Sequence, residues 1–192
     1  MLMKSYLVGM LSVLAIFVVP SVSQAYSTTA QSAIDLGNNK ALFTITYKFG
    51  FLNREAYLPI LASRNKNFEA SGPNAGYTVL FNGKTEAKAA SSTMQTNDVN
   101  LKLNYSILPG KAKAIVLSDA QIKDSRYFLP KGKSGTFTLV AIVDMSTIAN
   151  KDDMSLLMTS LPFTMIDNGK RMEAQLNPSE LQYYRTPKLD LK

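Results

Sequence analysis

Much of the chain alternates apolar and polar positions with a period of two, the repeat of a strand and not of a helix. From Ala41 to Phe51, the residues Phe43, Ile45, Tyr47, Phe49 and Phe51 share one face, while Leu42, Thr44, Thr46 and Lys48 share the other. That pattern predicts a strand with one buried side. Gly132 to Met145, GKSGTFTLVAIVDM, differs, because Val140 and Ile142 make its second face as apolar as the face of Phe137, Leu139, Ala141 and Val143. Both sides then want cover, which predicts a central strand around which the others are organised.

Shorter alternating pieces supply the neighbours. Tyr77 to Phe81, Ala114 to Leu117 and Tyr127 to Leu129 read as strands, and Val99, Leu101, Leu103, Tyr105 and Ile107 alternate with polar residues as in a strand wet on one side. Ala56 to Leu61 carries Pro59, which cannot donate to a ladder and so assigns the segment to a sheet edge. Asp119 to Lys123 reads as one helical turn or an irregular crossing, and Pro178 to Tyr184 as a last short strand. Met154, Leu156 and Met158 occupy one parity and Leu161, Phe163 and Met165 the other, so the phase slips near Ser160-Leu161-Pro162, as at a bulge or at a strand bending between sheets.

Two Asn-Gly pairs mark hairpins. A two-residue turn at Asn168-Gly169 matches Met165 with Met172, Phe163 with Ala174 and Leu161 with Leu176, and sets Asp167 opposite Lys170. At Asn82-Gly83 the same turn would set Tyr77, Val79 and Phe81 against Lys88, Glu86 and Lys84. That mismatch predicts a longer loop or a bulge there.

The ends have a different character. Residues 1–25 have a basic start at Lys4, an apolar run from Tyr6 to Val19, then Pro20 and the small residues Ser23 and Ala25, the layout of a secretory signal cut before Tyr26. A membrane span needs roughly 20 apolar residues, and Pro20 cuts this run short, so no span is expected after cleavage. Residues 26–40 are rich in Ser, Thr, Ala, Gln and Asn and read as a mobile polar leader ending in the turn signal Gly37-Asn38-Asn39. Residues 41–184 then form the folded domain, and 185–192 a frayed basic tail. Removing 25 residues from 192 leaves 167, enough to bury roughly 70% of the unfolded surface.

Many short strands between turn signals, with no long amphipathic helix, predict an all-β fold, an antiparallel two-sheet sandwich. Within it, Tyr127 to Asp144, YFLPKGKSGTFTLVAIVD, resembles the short strand, Gly-containing turn and Thr/Val-rich strand of immunoglobulin-like modules in secreted bacterial surface proteins. The resemblance implies an immunoglobulin-like sandwich and carries no functional residue over.

Composition narrows the chemistry. The chain has no histidine and no cysteine, which excludes Ser-His-Asp and Cys-His catalysis, histidine zinc sites, disulfides and thiolate chemistry. Exported chains of this size without disulfides are more typical of a bacterial envelope than of animal secretion. No cofactor is implied. Formal charge is +7, but the cations are interspersed with acids and form no long run, so nucleic acid is not an expected partner.

Few residue groups remain as sites. Asp144, Asn150, Asp152 and Asp153 offer oxygens for calcium, although Lys151 sits among them and the spacing is not that of a twelve-residue calcium loop. Tyr183, Tyr184 and Arg185 form the one aromatic and cationic cluster outside the clear strands; adjacent positions point opposite ways, so one tyrosine should pack while the other meets solvent. Asn104-Tyr105-Ser106 matches a glycosylation acceptor but falls inside a predicted strand, and Met154, Met158, Met165 and Met172 read as core filler.

The expected function is that of an exported non-catalytic module, periplasmic, secreted or at the cell surface, acting in envelope structure or in binding an envelope or extracellular macromolecule. Self-association is open to any sandwich with a long unpaired edge. The alternative is binding of an anionic or sugar polymer of the cell wall. A carboxylate-dependent hydrolase is a more distant third, since nothing in the sequence shows two acids converging.

Overall fold

The computed structural model describes residues 24–64, 72–81, 84–85, 112–146, 153–176 and 179–189. In chain order its strands are β1 (Gln24–Gly37), β2 (Lys40–Phe51), β3 (Glu55–Leu58), β4 (Ala62–Arg64), β5 (Ala75–Phe81), β6 (Lys84–Thr85), β7 (Ala112–Ser118), β8 (Gln121–Lys123), β9 (Arg126–Leu129), β10 (Ser134–Asp144), β11 (Ser155–Asp167) and β12 (Lys170–Leu176). They form a four-stranded sheet ordered β1-β2-β10-β7 and an eight-stranded sheet ordered β4-β5-β11-β3-β9-β8, with β12 beside β11 and β6 beside β5. All pairings are antiparallel except β4 with β5. The result is an all-β, two-sheet sandwich.

The alternating faces of β2 and β10 make the core. Phe43, Ile45, Tyr47 and Phe49 are fully buried, as are Phe137, Leu139, Ala141 and Val143 on the neighbouring strand, where Phe137 pairs with Tyr47 and Leu139 with Ile45. Rings from the second sheet interlock with them: Phe163 lies 5.0 Å from Phe49 and 5.6 Å from Phe51, and Tyr127 lies 5.7 Å from Phe137. The Tyr127 hydroxyl donates to the Val116 carbonyl at 2.9 Å, a polar tie from one sheet to the other. Each large side chain taken from water here contributes about 2 kcal/mol. As the sequence predicts, β10 lies inside its sheet, and Val140 and Ile142 on its second face are also buried.

Two-residue turns set much of the register. Asn38 and Asn39, then Asn168 and Gly169, have positive φ at both central positions, the twist that a tight hairpin needs. The β11–β12 hairpin has the predicted register throughout, from Asp167 against Lys170 to Leu161 against Leu176. The phase slip in β11 is also present: its register against β5 shifts between Met158 and Ser160, and the strand passes from β5 to β12 and β3 across it.

Several expectations are corrected. Residues 26–40 are not a loose leader: Gln24–Gly37 is the longest strand among the described residues, paired with β2 along its whole length. Tyr26, Thr28, Gln31, Ala33 and Asp35 oppose the core-facing residues of β2, but a bulge between Thr28 and Ala30 breaks their alternation. The predicted cut before Tyr26 lies inside this strand, so cleavage there would remove the pairs Gln24 with Phe51 and Ala25 with Gly50.

β3 lies between β11 and β9, not at an edge, because Pro59 falls one residue past its end, where no ladder N–H is required. Gln121–Lys123 is a strand, turned into β9 through Asp124 and Ser125, both at positive φ. At Asn82-Gly83 the two-residue register does occur, with Phe81 against Lys84. The apolar side of β5 is matched on its other flank, by Leu156 opposite Val79 and Met158 opposite Tyr77, so β6 need supply only backbone. The predicted strand from Val99 to Ile107, with Asn104, lies outside the described residues, as do residues 1–23 of the predicted secretory signal over 1–25.

Among the described C-terminal residues, 179–184 are not a strand and 185–189 are not a frayed tail; residue 178 and residues 190–192 of those two predictions lie outside the described residues. Leu157 bridges to Arg185 and Met154 to Leu189, Thr186 exchanges two hydrogen bonds with Leu156, and Lys188 pairs with Asp153 at 2.8 Å. Residues 181–189 thus strap the first half of β11.

Candidate functional site

The predicted aromatic cluster sits where this strap begins. Tyr183 is 73% exposed, and its carbonyl accepts a hydrogen bond from Gln31 Nε2 of β1 at 2.7 Å. Tyr184 is buried against Tyr47, ring centroids 5.9 Å apart, and burial pushes its hydroxyl up to about 12, with Tyr26 adding to the shift. Arg185 is half-buried and donates from Nε to Ser155 Oγ at 3.1 Å. The three residues therefore do different things: one ring meets solvent, one fills the core, and the cation is held to the strand beneath.

Of the calcium set, Asn150 and Asp152 lie outside the described residues. Asp144 is buried and accepts from the Ser146 N–H at 2.9 Å, the local turn bond that aspartate makes readily, and Asp153 is paired with Lys188. Among the described residues no group of three or more Asp, Glu, His or Cys could hold a metal, and no helix is long and apolar enough to cross a membrane.

The outer face of the large sheet holds a charged network that sequence reasoning missed. Cross-strand pairing lines up Glu173 of β12, Thr164 of β11, Tyr57 of β3 and Phe128 of β9 in one row. Arg126 reaches across this row: it donates to the Thr164 hydroxyl, which in turn donates to Glu173 at 2.6 Å, and Arg171 closes on the same carboxylate at 2.7 Å. The Thr164 hydroxyl above all, then Arg171 and Arg126, holds the Glu173 carboxyl below the usual carboxylate range. A carboxylate so engaged is a weak base. The network divides a cleft of about 120 Å³, lined by Tyr57, Asp124, Arg126, Thr164, Ile166 and Arg171, from an open groove of about 440 Å³ around Pro73, Pro162 and Gln175. Sites for small organic ligands are usually roughly 300–1,000 Å³ and mostly enclosed and apolar; the first cleft is too small and the second too open. Its one local signal is the i, i+2 spacing of Arg171 and Glu173, which puts both on one face of a strand.

The sheet edges differ from one another. β8 and β4 have three residues each, and β12 carries Lys170, Arg171 and Glu173. β7 is used on its far side, where the Val116 N–H donates to the Ile60 carbonyl at 2.8 Å and Ile115 bridges Leu61. Short length, charge and cover are the ordinary guards against strand addition. β1 is the least guarded: it has fourteen residues, a single charge at Asp35, no lysine and no proline, and among the described residues it pairs with β2 alone. No protein-family model matches the chain, and no curated protein shows significant similarity to it.

Proposed function

We propose that the protein is an exported, non-catalytic module of a cell envelope or extracellular space, and that it works by adding an extended segment of another polypeptide to its four-stranded sheet along β1. The observation that carries this is the long edge of β1, which carries no cation and a single charge, at Asp35. A strand paired on one side presents alternating N–H and C=O groups on the other, and main-chain pairing gives affinity with little demand on partner side chains. The leader-like layout of residues 1–25 and the absence of cysteine support export, and the absence of histidine, with Glu173 engaged by three donors, supports a non-catalytic role. The resemblance of Tyr127 to Asp144 to immunoglobulin-like modules supports the reading, as does the order of β9, the Gly132 turn and β10, which cross from one sheet to the other.

The test uses the lack of native cysteine. Single-cysteine variants at Ser27, Ala30 and Ile34 carry a photo-crosslinker, with Leu52 and Arg171 as positions away from the edge, and are exposed to an envelope fraction. Crosslinks to a polypeptide confined to the β1 positions are expected. Equal crosslinking from Leu52 and Arg171, or none from β1, would refute strand addition.

A second reading, recognition of an anionic or sugar polymer, draws on the exposed Tyr183 ring and the surplus of positive charge. It predicts sedimentation with cell walls that weakens with salt and falls in Tyr183→Ala.

A further inference from the structure

We infer that the polypeptide taken up by the β1 edge is a second copy of this chain, two β1 strands pairing antiparallel about a two-fold axis to join the four-stranded sheets into one of eight. The inference rests on the strand-addition reading above and names its partner.

Charge selects the edge. Two molecules that each carry a surplus of positive charge repel, and the least costly approach lies along an element with no cation. Among the described residues, the other edges of any length either carry cations, as β12 does, or are already bonded, as β7 is. Antiparallel pairing of identical strands is self-complementary, the closed two-fold contact that most homodimers use, and it leaves no new edge on which to grow.

The side chains agree. Ser27, Ala30, Ser32 and Ile34 lie on the outer face of β1, opposite Lys48, Thr46, Thr44 and Leu42. Ile34 is 47% exposed and ends an apolar row that runs through Leu42 to the buried Ile142. A strand laid beside β1 would cover Ile34. The bulge does not block the approach, because Thr29 turns its hydroxyl onto the Thr46 carbonyl of β2 at 3.2 Å, away from the free edge.

Size sets the strength. From Tyr26 to Gly37 the strand is about 40 Å long and a sheet with its side chains about 10 Å thick, so each copy covers on the order of 400 Å². Twice that lies below the roughly 1,200 Å² of stable interfaces. The dimer is therefore weak and concentration-dependent, populated where the chain is crowded or tethered.

Sedimentation of the chain beginning at Tyr26, from micromolar to millimolar concentration, tests this. A reversible monomer–dimer equilibrium is expected, weakened about tenfold or more by Ala30→Lys with Ile34→Lys, because the cations of both copies then line one seam, and unchanged by Leu52→Lys at an exposed site off the edge. In a single-cysteine scan from Ser27 to Ile34, disulfide dimers should peak at the positions nearest the two-fold axis. A dimer indifferent to the paired lysines, or cysteine coupling equal at every position, overturns the inference. A monomer at all concentrations that still crosslinks through β1 to a different polypeptide overturns it and leaves strand addition standing. A monomer with no β1 crosslinks overturns both.

Discussion

The docked C-terminus can be tested by one substitution whose cost the structure sets. Thr186 is buried, and it holds the strap to β11 by two bonds: its N–H donates to the Leu156 carbonyl at 2.8 Å, and its hydroxyl accepts from the Leu156 N–H at 2.9 Å. Thr186→Val keeps the shape and the first bond but strands a buried N–H, a loss of about 1–3 kcal/mol. For a chain of this size each kcal/mol moves the thermal midpoint by about 2–4 °C, so a mid-range loss of about 2 kcal/mol lowers it by about 4–8 °C. Thr186→Ser keeps the hydroxyl and gives up only a methyl, about 0.8 kcal/mol. Urea unfolding of the three proteins reads the difference, with an unchanged denaturant slope because the exposed area hardly alters. If Thr186→Val lies within about 0.5 kcal/mol of the parent, or costs no more than Thr186→Ser, the strap is not docked as described.

Other substitutions probe the core and the charged network. The Tyr47 hydroxyl is fully buried with no hydrogen-bond partner among the described residues, and burial drives its ionisation far above the ordinary tyrosine range; Tyr47→Phe should stabilise the fold by about 1 kcal/mol in urea unfolding, and a loss would show that the hydroxyl is engaged. A Cβ at Gly50 would stand 2.7 Å from the Lys133 carbonyl oxygen and the Ser134 Cα, so Gly50→Ala should cost about 3 kcal/mol. Gly169→Ala meets open space and carries only the strain of φ +77°, about 1 kcal/mol, and the reverse order would contradict the packing of β2 on β10. Because the folded state depresses the Glu173 pKa, its contribution is present above the unfolded value, near 4.5, and is lost as pH falls through the lower folded value. Glu173→Gln should therefore flatten part of the acid loss of stability below about pH 4.5 and change little at neutral pH, with a small amplitude because the group is more than half exposed. An unaltered acid limb would show that the network does not hold the carboxylate ionised.

What was legible in the sequence were the segments whose burial follows chain order. β2, β10 and the β11–β12 hairpin each carry their own parity, and Asn168-Gly169 supplies a turn chemistry that fixes pairing without knowledge of the rest. β1 was illegible for a physical reason: an edge strand can turn small and polar residues inward, and the bulge after Thr28 puts Thr28 and Gln31, three apart, on the same face. Pro59 misled because its effect depends on one residue of register, and β8 is too short to show a period. Tyr183 and Tyr184 did divide into one exposed and one packed ring, as adjacent positions must. In the Arg126–Thr164–Glu173 network the hairpin register already sets Thr164 opposite Glu173, but Arg126 comes from β9, which no local pattern places beside them. Strand order decides which edges remain open, and no single segment encodes it.

Amide hydrogen exchange along β1, measured residue by residue on dilute monomer, tests the central claim most directly. Two alternating classes are expected between Tyr26 and Leu36, slow amides bonded to β2 and fast amides facing outward, with the alternation shifting phase at Thr29. Uniformly fast exchange would return this segment to a loose leader, and uniformly slow exchange would mean that the edge is already covered.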